Sequence, residues 1–347
     1  MSAGAYNACA RKTDGTVWCW GTSANHLLGD AVAKPSPTPL AIAGLDGAVE
    51  LAVGDSHVCA RKADGAVWCW GSNDSMQLGD GTTTGRAAPA PVLGLAGVVQ
   101  LSSAVVTCAR KGDGSAWCWG SNFAGMLGNG STGGNLPPVQ VVGLPPIVDI
   151  VVGPSHVCAR AGDGTLWCWG GNLGGQLGDG TTSARATPAR VGTLTDVRQV
   201  ALGASHTCAR LGDGSVWCWG SNSTGQLGDG TTIDRYAPAP VVRIPKASWL
   251  GTASGSPTCA QTDAGTLWCW GDTIAFLVSS VVGTPLALGF DARQIAVGGG
   301  FACALGTDGL VWCWGRRNDA GQLGDGTTAT DATGGLLPPR RSVLRCP

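Results

Sequence analysis

Short runs in which branched apolar side chains alternate with polar ones recur along the whole chain, as in Val98-Val99-Gln100-Leu101, Ile147-Val148-Asp149-Ile150 and Val197-Arg198-Gln199-Val200. Each is followed by a Cys-Ala segment, a turn signal, and a Trp-Cys-Trp-Gly segment in which Trp and Cys alternate. Side chains alternate faces along a strand, so period-two patterning predicts β-strands, with both Trp on one face and Cys on the other. A Gly-rich stretch comes next, such as 225–232, and then a Pro-containing segment such as 237–242. Pro restricts that last segment to a sheet edge or a loop. No helical period competes with this reading.

The pattern is a tandem repeat. Trp-Cys-Trp-Gly starts at Trp18, Trp68, Trp117, Trp167, Trp217, Trp268 and Trp312, a period of about fifty residues that shortens only between the last two copies. Approximate repeats run 1–48, 49–97, 98–147, 148–197, 198–247, 248–292 (short and degenerate) and 293–347. Three or four short strands per copy, bounded by turns, describe an all-β, seven-bladed propeller forming a single domain. The first copy, opening at Ser2-Ala3-Gly4, is expected to lack its leading strand, and the sequence names no donor to complete it.

Cysteine spacing fixes a hairpin. Ten positions separate Cys9/Cys19, Cys59/Cys69, Cys108/Cys118, Cys158/Cys168, Cys208/Cys218, Cys259/Cys269 and Cys303/Cys313, with Asp-Gly between the members of each pair except for Ala264-Gly265 in the sixth copy. A three-residue loop at Thr13-Asp14-Gly15, with Gly in the left-handed position, pairs Lys12 with Thr16 and sets Cys9 opposite Cys19. Ala8 and Ala10 then lie opposite the two indoles and leave room for them. An indole buries on the order of 200 Å², so the fourteen repeat tryptophans are expected to supply much of the core between blades.

The order Gly-x-x-His-x-Cys-Ala, Asp-Gly, Trp-x-Trp-Gly-x-Asn, Gly-Gln-Leu-Gly and Pro-x-x-Val, clearest at 153–191 and 203–242, resembles the regulator-of-chromosome-condensation repeat. The resemblance implies a seven-bladed propeller whose namesake is a guanine-nucleotide exchange factor for a small nuclear GTPase, while many relatives are protein-interaction modules and a plant relative senses ultraviolet light through clustered Trp. The Cys pair departs from the nuclear pattern and is similar to that of secreted bacterial versions. No exchange-factor residue carries over, because no loop here matches a GTPase-contacting motif.

Composition narrows the functions. Net charge is −1 with 13% charged residues, which provides no broad basic surface for nucleic acid or anionic lipid. The longest apolar runs fall short of the roughly 18 residues of a membrane-spanning helix, so no membrane insertion is expected. The 15 cysteines decide the compartment. Read as metal ligands, the pairs lack the two-to-four-residue spacing of zinc knuckles and give two ligands per copy, so no metal or other cofactor is expected. Read as disulfides, each closes a hairpin of about eleven residues, with an entropic ceiling near 3 kcal/mol apiece. Disulfides are preferred to metal sites and to free thiols, and seven of them point to an extracellular, periplasmic or cell-surface location. The decapeptide MSAGAYNACA has neither a basic nor an apolar signal region, so export is expected only if this start is internal or residues upstream were cut or misassigned. Cys346 is left over as a tail residue.

Other chemistry-bearing positions read as structural. His57, His156 and His206 share one repeat position held elsewhere by Asn7, Val106, Pro257 and Phe301, and are expected to be hydrogen-bonding groups at the inner end of a blade. Asp80, Asp179, Asp229 and Asp325, with weaker copies at Asn129 and Asp30, lie in Leu-Gly-Asp-Gly-Thr loops too poor in acids for calcium and read as turn residues. The sixth copy replaces this loop with Ile274 to Val278, which makes Phe276 and Leu277 a candidate partner patch if exposed. No catalytic constellation is found. The expected function is a non-enzymatic, monomeric scaffold binding a protein or glycan. The alternative is an exchange factor for a small GTPase in cytoplasm or nucleus, which requires reduced cysteines.

Overall fold

The computed structural model describes residues 1–29, 34–192, 194–252, 257–271, 286–298, 301–306, 310–315, 318–328 and 337–345. Every blade is an antiparallel sheet whose four strands follow in chain order. In blade 1 these are Ser2–Ala3, Asn7–Arg11, Val17–Gly21 and Ser36–Ile42; in blade 4, Ile147–Val152, His156–Ala161, Leu166–Gly170 and Arg185–Arg190. First strands line the axis of the ring, and fourth strands form its wall. That order explains the prolines, because Pro89 and its equivalents Pro188 and Pro238 sit on the outermost strand, where a missing N–H leaves no ladder bond unmade. Turns joining strands one and two share a loop face with the connections between strands three and four. The Asp-Gly hairpins and the connectors between blades share the opposite face.

Hairpin register is as the spacing requires. Cys9 pairs with Cys19, Ala8 with Trp20 and Ala10 with Trp18, and the equivalent pairing recurs in all seven blades. The turn is set by the Lys12 N–H to Thr16 carbonyl bond at 2.9 Å and the Gly15 N–H to Lys12 carbonyl bond at 3.0 Å. Gly15 has φ +84°, the left-handed value the loop needs. Three steps out from that bonded pair the cysteines occupy a non-hydrogen-bonded position with Cα atoms 4.1 Å apart, the closest cross-strand approach. Every expected pair is a disulfide at this same separation: Cys9–Cys19, Cys59–Cys69, Cys108–Cys118, Cys158–Cys168, Cys208–Cys218, Cys259–Cys269 and Cys303–Cys313.

One expectation about the ring is corrected. Ser2 and Ala3 form the leading strand of blade 1, paired with Cys9 and Ala8, so no outside donor is needed. Two residues without β-branched patterning gave no strand signal. The short spacing between the last two Trp-Cys-Trp copies is absorbed outside the blades: a single strand, Leu286–Val297, pairs through Leu286–Asp291 with blade 6 and through Ala292–Val297 with blade 7. Elsewhere a connector such as 92–97 separates those two roles.

Packing divides into seven apolar clusters, one per seam between blades. The blade 2/blade 3 seam joins Cys59 and Cys69 of one blade to Ala109 and Trp119 of the next. The same arrangement joins Cys303 and Cys313 of blade 7 to Ala8, Ala10 and Trp20 of blade 1, which closes the ring. Each cystine is thus seated under the indole of the following blade. A polar latch accompanies this packing. Trp20, Trp70, Trp119, Trp169, Trp219 and Trp270 donate their Nε1–H to the carbonyls of Gln322, Leu27, Gln77, Met126, Gln176 and Gln226, at 2.9–3.2 Å. Gly326 N–H adds a bond to the Pro37 carbonyl across the closing seam.

Only the second tryptophan of each pair is fully buried. The first, at Trp18, Trp68, Trp117, Trp167 or Trp217, is half-buried, and the expectation of fourteen core indoles halves. Lys12, Lys62 and Lys111 place their ammonium groups 4.2, 4.4 and 5.2 Å from the Trp18, Trp68 and Trp117 rings, a cation–π arrangement that keeps the charge in water.

Trp169→Phe keeps an aromatic ring in the seam but removes the indole N–H and strands the buried Met126 carbonyl, and is expected to lower unfolding free energy by about 1–3 kcal/mol in a denaturant titration. Trp169→Ala, which also leaves a cavity, is expected to cost about 3–5 kcal/mol. Equal, near-zero effects would contradict the latch.

Candidate binding surface on the loop face

The polar residues singled out by sequence are consumed by the scaffold. His156 and His206 reach across their seams to Thr207 and Thr258, with Nε2 to Oγ1 distances of 2.7 and 2.8 Å. Thr207 and Thr258 in turn donate to the Gln176 and Gln226 carbonyls at 2.8 and 3.3 Å, the same carbonyls that accept the indole N–H. A threonine already donating can only accept from the ring, so the network assigns the Nε2–H tautomer. His57 makes the corresponding contact to Thr107 at 2.5 Å. Gly54 and Gly203, three residues before His57 and His206, leave room for the ring, since a Cβ there would run into the imidazole. The Gly-x-x-His motif is therefore a packing device.

The seam partners follow a rule visible across the copies. Wherever this position is His, the next blade carries Thr before its first Cys; apolar Val106 and Phe301 face apolar Val157 and Ala8. Asn7 breaks the rule, because the next blade offers Val58, and both polar atoms of its buried amide lack partners.

The cysteines are consumed in the same way. Both members of every bridge are buried, including Cys118, Cys168, Cys218 and Cys269 on the third strands and their partners Cys108, Cys158, Cys208 and Cys259 on the second. None of them lines either of the cavities described below, and the bridges staple strands two and three within each blade.

The Leu-Gly-Asp-Gly-Thr loops are self-contained as well. Asn172 Nδ2 donates to the Thr181 and Ser183 carbonyls at 3.1 and 3.0 Å, while its Oδ1 accepts the Leu177 N–H at 2.9 Å. Asp179 Oδ1 accepts the N–H and Oγ1–H of Thr181, and its Oδ2 accepts Arg185 Nε at 2.6 Å. Burial alone would raise this carboxyl, but the Thr181 and Arg185 donors outweigh it and hold it below its usual range. Blades 2 and 5 repeat the arrangement with Asp80–Arg86 and Asp229–Arg235. The turn role read for these aspartates is what the structure shows; the arginine six positions later, present in the sequence at 86, 185 and 235, is a partner that the motif reading missed. Asp30, Cys346, and the Phe276/Leu277 patch lie outside the described residues.

The axial channel is narrow. Gly4, Val53, Ala104, Val152, Leu202, Thr252 and Val297, one from each blade, line a space of about 100 Å³, below the roughly 300 Å³ or more of a typical ligand pocket. Asp55 is the acidic residue among those lining it, and burial raises its carboxyl.

Among the side chains that the scaffold does not consume are four apolar ones toward the loop face of blades 3–5. Phe123 and Leu173 are 72% and 93% exposed, and Ile233 and Tyr236 are 63% and 45% exposed. Phe123 and Leu173 directly follow the loop asparagines Asn122 and Asn172, so the loop network projects them from its tip; blades 2, 5 and 7 carry Asp74, Ser223 and Asp319 there. Gly175 lies against the Tyr236 ring with no room for a Cβ, which makes the Leu173 loop continuous with blade 5. Sequence reasoning passed over these residues because it compared motifs rather than the positions between them. An apolar residue at a repeat position that is polar in other copies was the available signal.

Burial pushes His57 and His206 down to about 4 and His156 to about 3. These folded values lie below the unfolded value near 6.5, so the unfolded chain binds more protons in acid. Stability from the neutral rings is full above about pH 6.5 and is lost as pH falls toward the folded values. At pH 5 the loss is about 2 kcal/mol per histidine. Replacing His156 and Thr207 together by Val, the Val106/Val157 solution, is expected to remove about one histidine's share of the stability difference between about pH 7.5 and 5 in urea unfolding. An unchanged difference would contradict the assignment.

Comparison with known proteins agrees with this architecture. No curated protein sequence matches the chain. The structure is similar to human WBSCR16 (TM-score 0.83, 21% identity, 95% of this chain and 94% of that one). It is also similar to Prp20p from Saccharomyces cerevisiae (0.78, 22%, 97% and 87%) and to the ectodomain of the Physcomitrella patens receptor kinase CR4 (0.57, 21%, 90% and 72%). At such identities these likenesses speak for the fold. The family described as the regulator of chromosome condensation (RCC1) repeat matches residues 64–109, 113–160, 163–210 and 213–260, and a second description of the same repeat matches 1–26, 48–77, 147–176, 197–226 and 292–322. With the repeat matched over more than half of the chain and the seven-bladed ring it builds, the chain belongs to the RCC1 repeat family.

Proposed function

We propose that this propeller is a non-catalytic binding scaffold of an oxidising compartment, outside the cytosol, and that it engages a protein partner through the loop face of blades 3–5. The observation that carries the reading is the contrast between consumed polar groups and unconsumed apolar ones. His57, His156, His206, the loop aspartates and the bridged cysteines are tied into seams and turns, and among the described residues no three His, Cys, Asp or Glu side chains gather into a metal-sized group. Phe123, Leu173, Ile233 and Tyr236 contribute little to the core and remain in water. Exposed apolar clusters on rigid loops are where partner contacts concentrate. A ring that needs no further burial to close presents them without rearrangement.

Seven cysteine pairs support an extracellular, periplasmic or cell-surface setting. They oppose the exchange-factor alternative, which needs a reducing compartment. A glycan partner is less favoured on the loop face, because Asp179 and Asp229 are saturated by their own loops and leave few acceptors for sugar hydroxyls.

Leu173→Ser with Tyr236→Ser is expected to leave unfolding free energy within about 0.5 kcal/mol, since both residues are exposed. The same change is expected to weaken partner retention at least about tenfold, the loss typical of truncating apolar anchors. Quantitative capture from the native envelope fraction, wild type against variant, reads this directly. Identical sets and amounts of retained proteins would contradict the proposal.

A further inference from the structure

The seam between blades 4 and 5 differs from its counterparts in three ways that together open it. After the fourth strand, blades 2, 3 and 5 continue Val92-Leu93, Val141-Val142 and Val241-Val242. In each, the second residue's N–H bonds the carbonyl of the loop glycine: Leu93 to Gly79 at 3.3 Å, Val142 to Gly128 at 3.0 Å, Val242 to Gly228 at 3.0 Å. Blade 4 has Val191-Gly192 instead, with φ +43° at Gly192. Among the described residues the Gly192 N–H and the Gly178 carbonyl have no hydrogen bond. Losing a branched side chain and its tether widens the gap between loop and connector.

Second, the lysine that covers the half-buried indole in blades 1–3 is Leu211 in blade 5. Third, Arg190 stands where blades 2, 3 and 5 carry Pro91, Gln140 and Pro240. It is exposed and has no hydrogen bond or ion pair among the described residues, with Asp163 the nearby charge. The outcome is an outer-wall cleft of about 670 Å³, within the range of ligand pockets. Trp217, Leu194, Leu211 and Pro238 supply its apolar surface, and Arg190 supplies its free charge.

We propose that this cleft binds the C-terminal residue of a partner protein, seating an apolar or aromatic side chain on Trp217 and holding the α-carboxylate with Arg190 and the Gly192 N–H. The chemistry follows from what is unpaired. A guanidinium forks onto a carboxylate, and a free backbone N–H adds a second donor. The Gly178 carbonyl accepts the amide N–H of the same residue. An apolar side chain belongs on the indole and leucines, because water there gains no partner. A sugar is the poorer fit, since Asp179, the one carboxylate lining the cleft, already receives Thr181, Asn172 and Arg185. The proposal rests on reading the chain as a binding scaffold, but it uses a surface separate from the Leu173 and Tyr236 arc.

The test is titration of the ¹⁵N-labelled full chain with N-acetylphenylalanine and with its amide, following indole N–H resonances. Trp217 is identified as the signal missing in Trp217→Phe. The expected result is a saturable shift at Trp217 with the acid, with binding about tenfold weaker for the amide and for Arg190→Gln, as loss of a charge-assisted hydrogen bond requires. Gln occupies the same place in blade 3, so that variant is compatible with the strand. No Trp217 shift up to the solubility limit of the acid overturns the proposal, as does equal binding of acid and amide. A shift produced by a methyl glucoside but not by the acid overturns it in favour of a glycan. Leu173 and Tyr236 lie outside the cleft, so failure on the loop face and failure here are separately readable.

Discussion

Seating the cystine of one blade beneath the indole of the next is the contact on which the ring depends. A four-stranded sheet with two apolar faces is not stable in water alone, and seven of them are satisfied together only if each cystine face finds a tryptophan face. The contact is directional. Cystines face forward to the next blade and indoles face back, so blade 7 and blade 1 meet by the same interface as any other pair and no strand exchange is needed. The indole N–H makes the packing specific, because its acceptor is a single loop carbonyl in the preceding blade. The small residues opposite the tryptophans, Ala8 and Ala10 in blade 1, follow from the same requirement. So does the Gln-Leu-Gly loop, which must present that carbonyl at a fixed height.

Much of this was legible in the sequence, and the reason is local geometry. A three-residue turn between Cys9 and Cys19 leaves one register, and that register fixes cross-strand partners and the faces of the sheet. What could not be read belongs to the relation between blades. Nothing within a copy says whether Trp18 or Trp20 lies deeper, and the difference arises because Trp20 meets the preceding loop while Trp18 sits nearer the hairpin end, its Nε1 bonded to Thr16 Oγ1. The His–Thr pairs are written in the chain one repeat apart, 156 with 207 and 206 with 258, but are visible only when consecutive copies are compared position by position. The leading strand of blade 1 was missed because Ser2–Ala3 carries no pattern of its own.

The candidate sites were less legible for a related reason. Motif positions are the ones the ring uses, so the proposed contacts are drawn from what varies between them. Phe123 and Leu173 at loop tips, Gly192 after a fourth strand, and Arg190 beside Trp167 are departures at positions that the repeat leaves unconstrained. Each was present in the sequence, but its exposure or its lack of a partner is a property of the assembled seams. A regular scaffold thus separates the two problems: repetition holds the disc together, and irregularity marks where the proposed contacts lie.

The central claim is that the seven pairs from Cys9/Cys19 to Cys303/Cys313 are disulfides built into the seams, and a thiol count on the protein from its own cells tests it most directly. Alkylation is carried out in denaturant, so that burial cannot protect a free thiol, with and without prior reduction, and the intact mass is measured. The account predicts that these fourteen cysteines are modified only after reduction. Modification of most of them without reduction would contradict the cystine seams and, with them, the oxidising compartment.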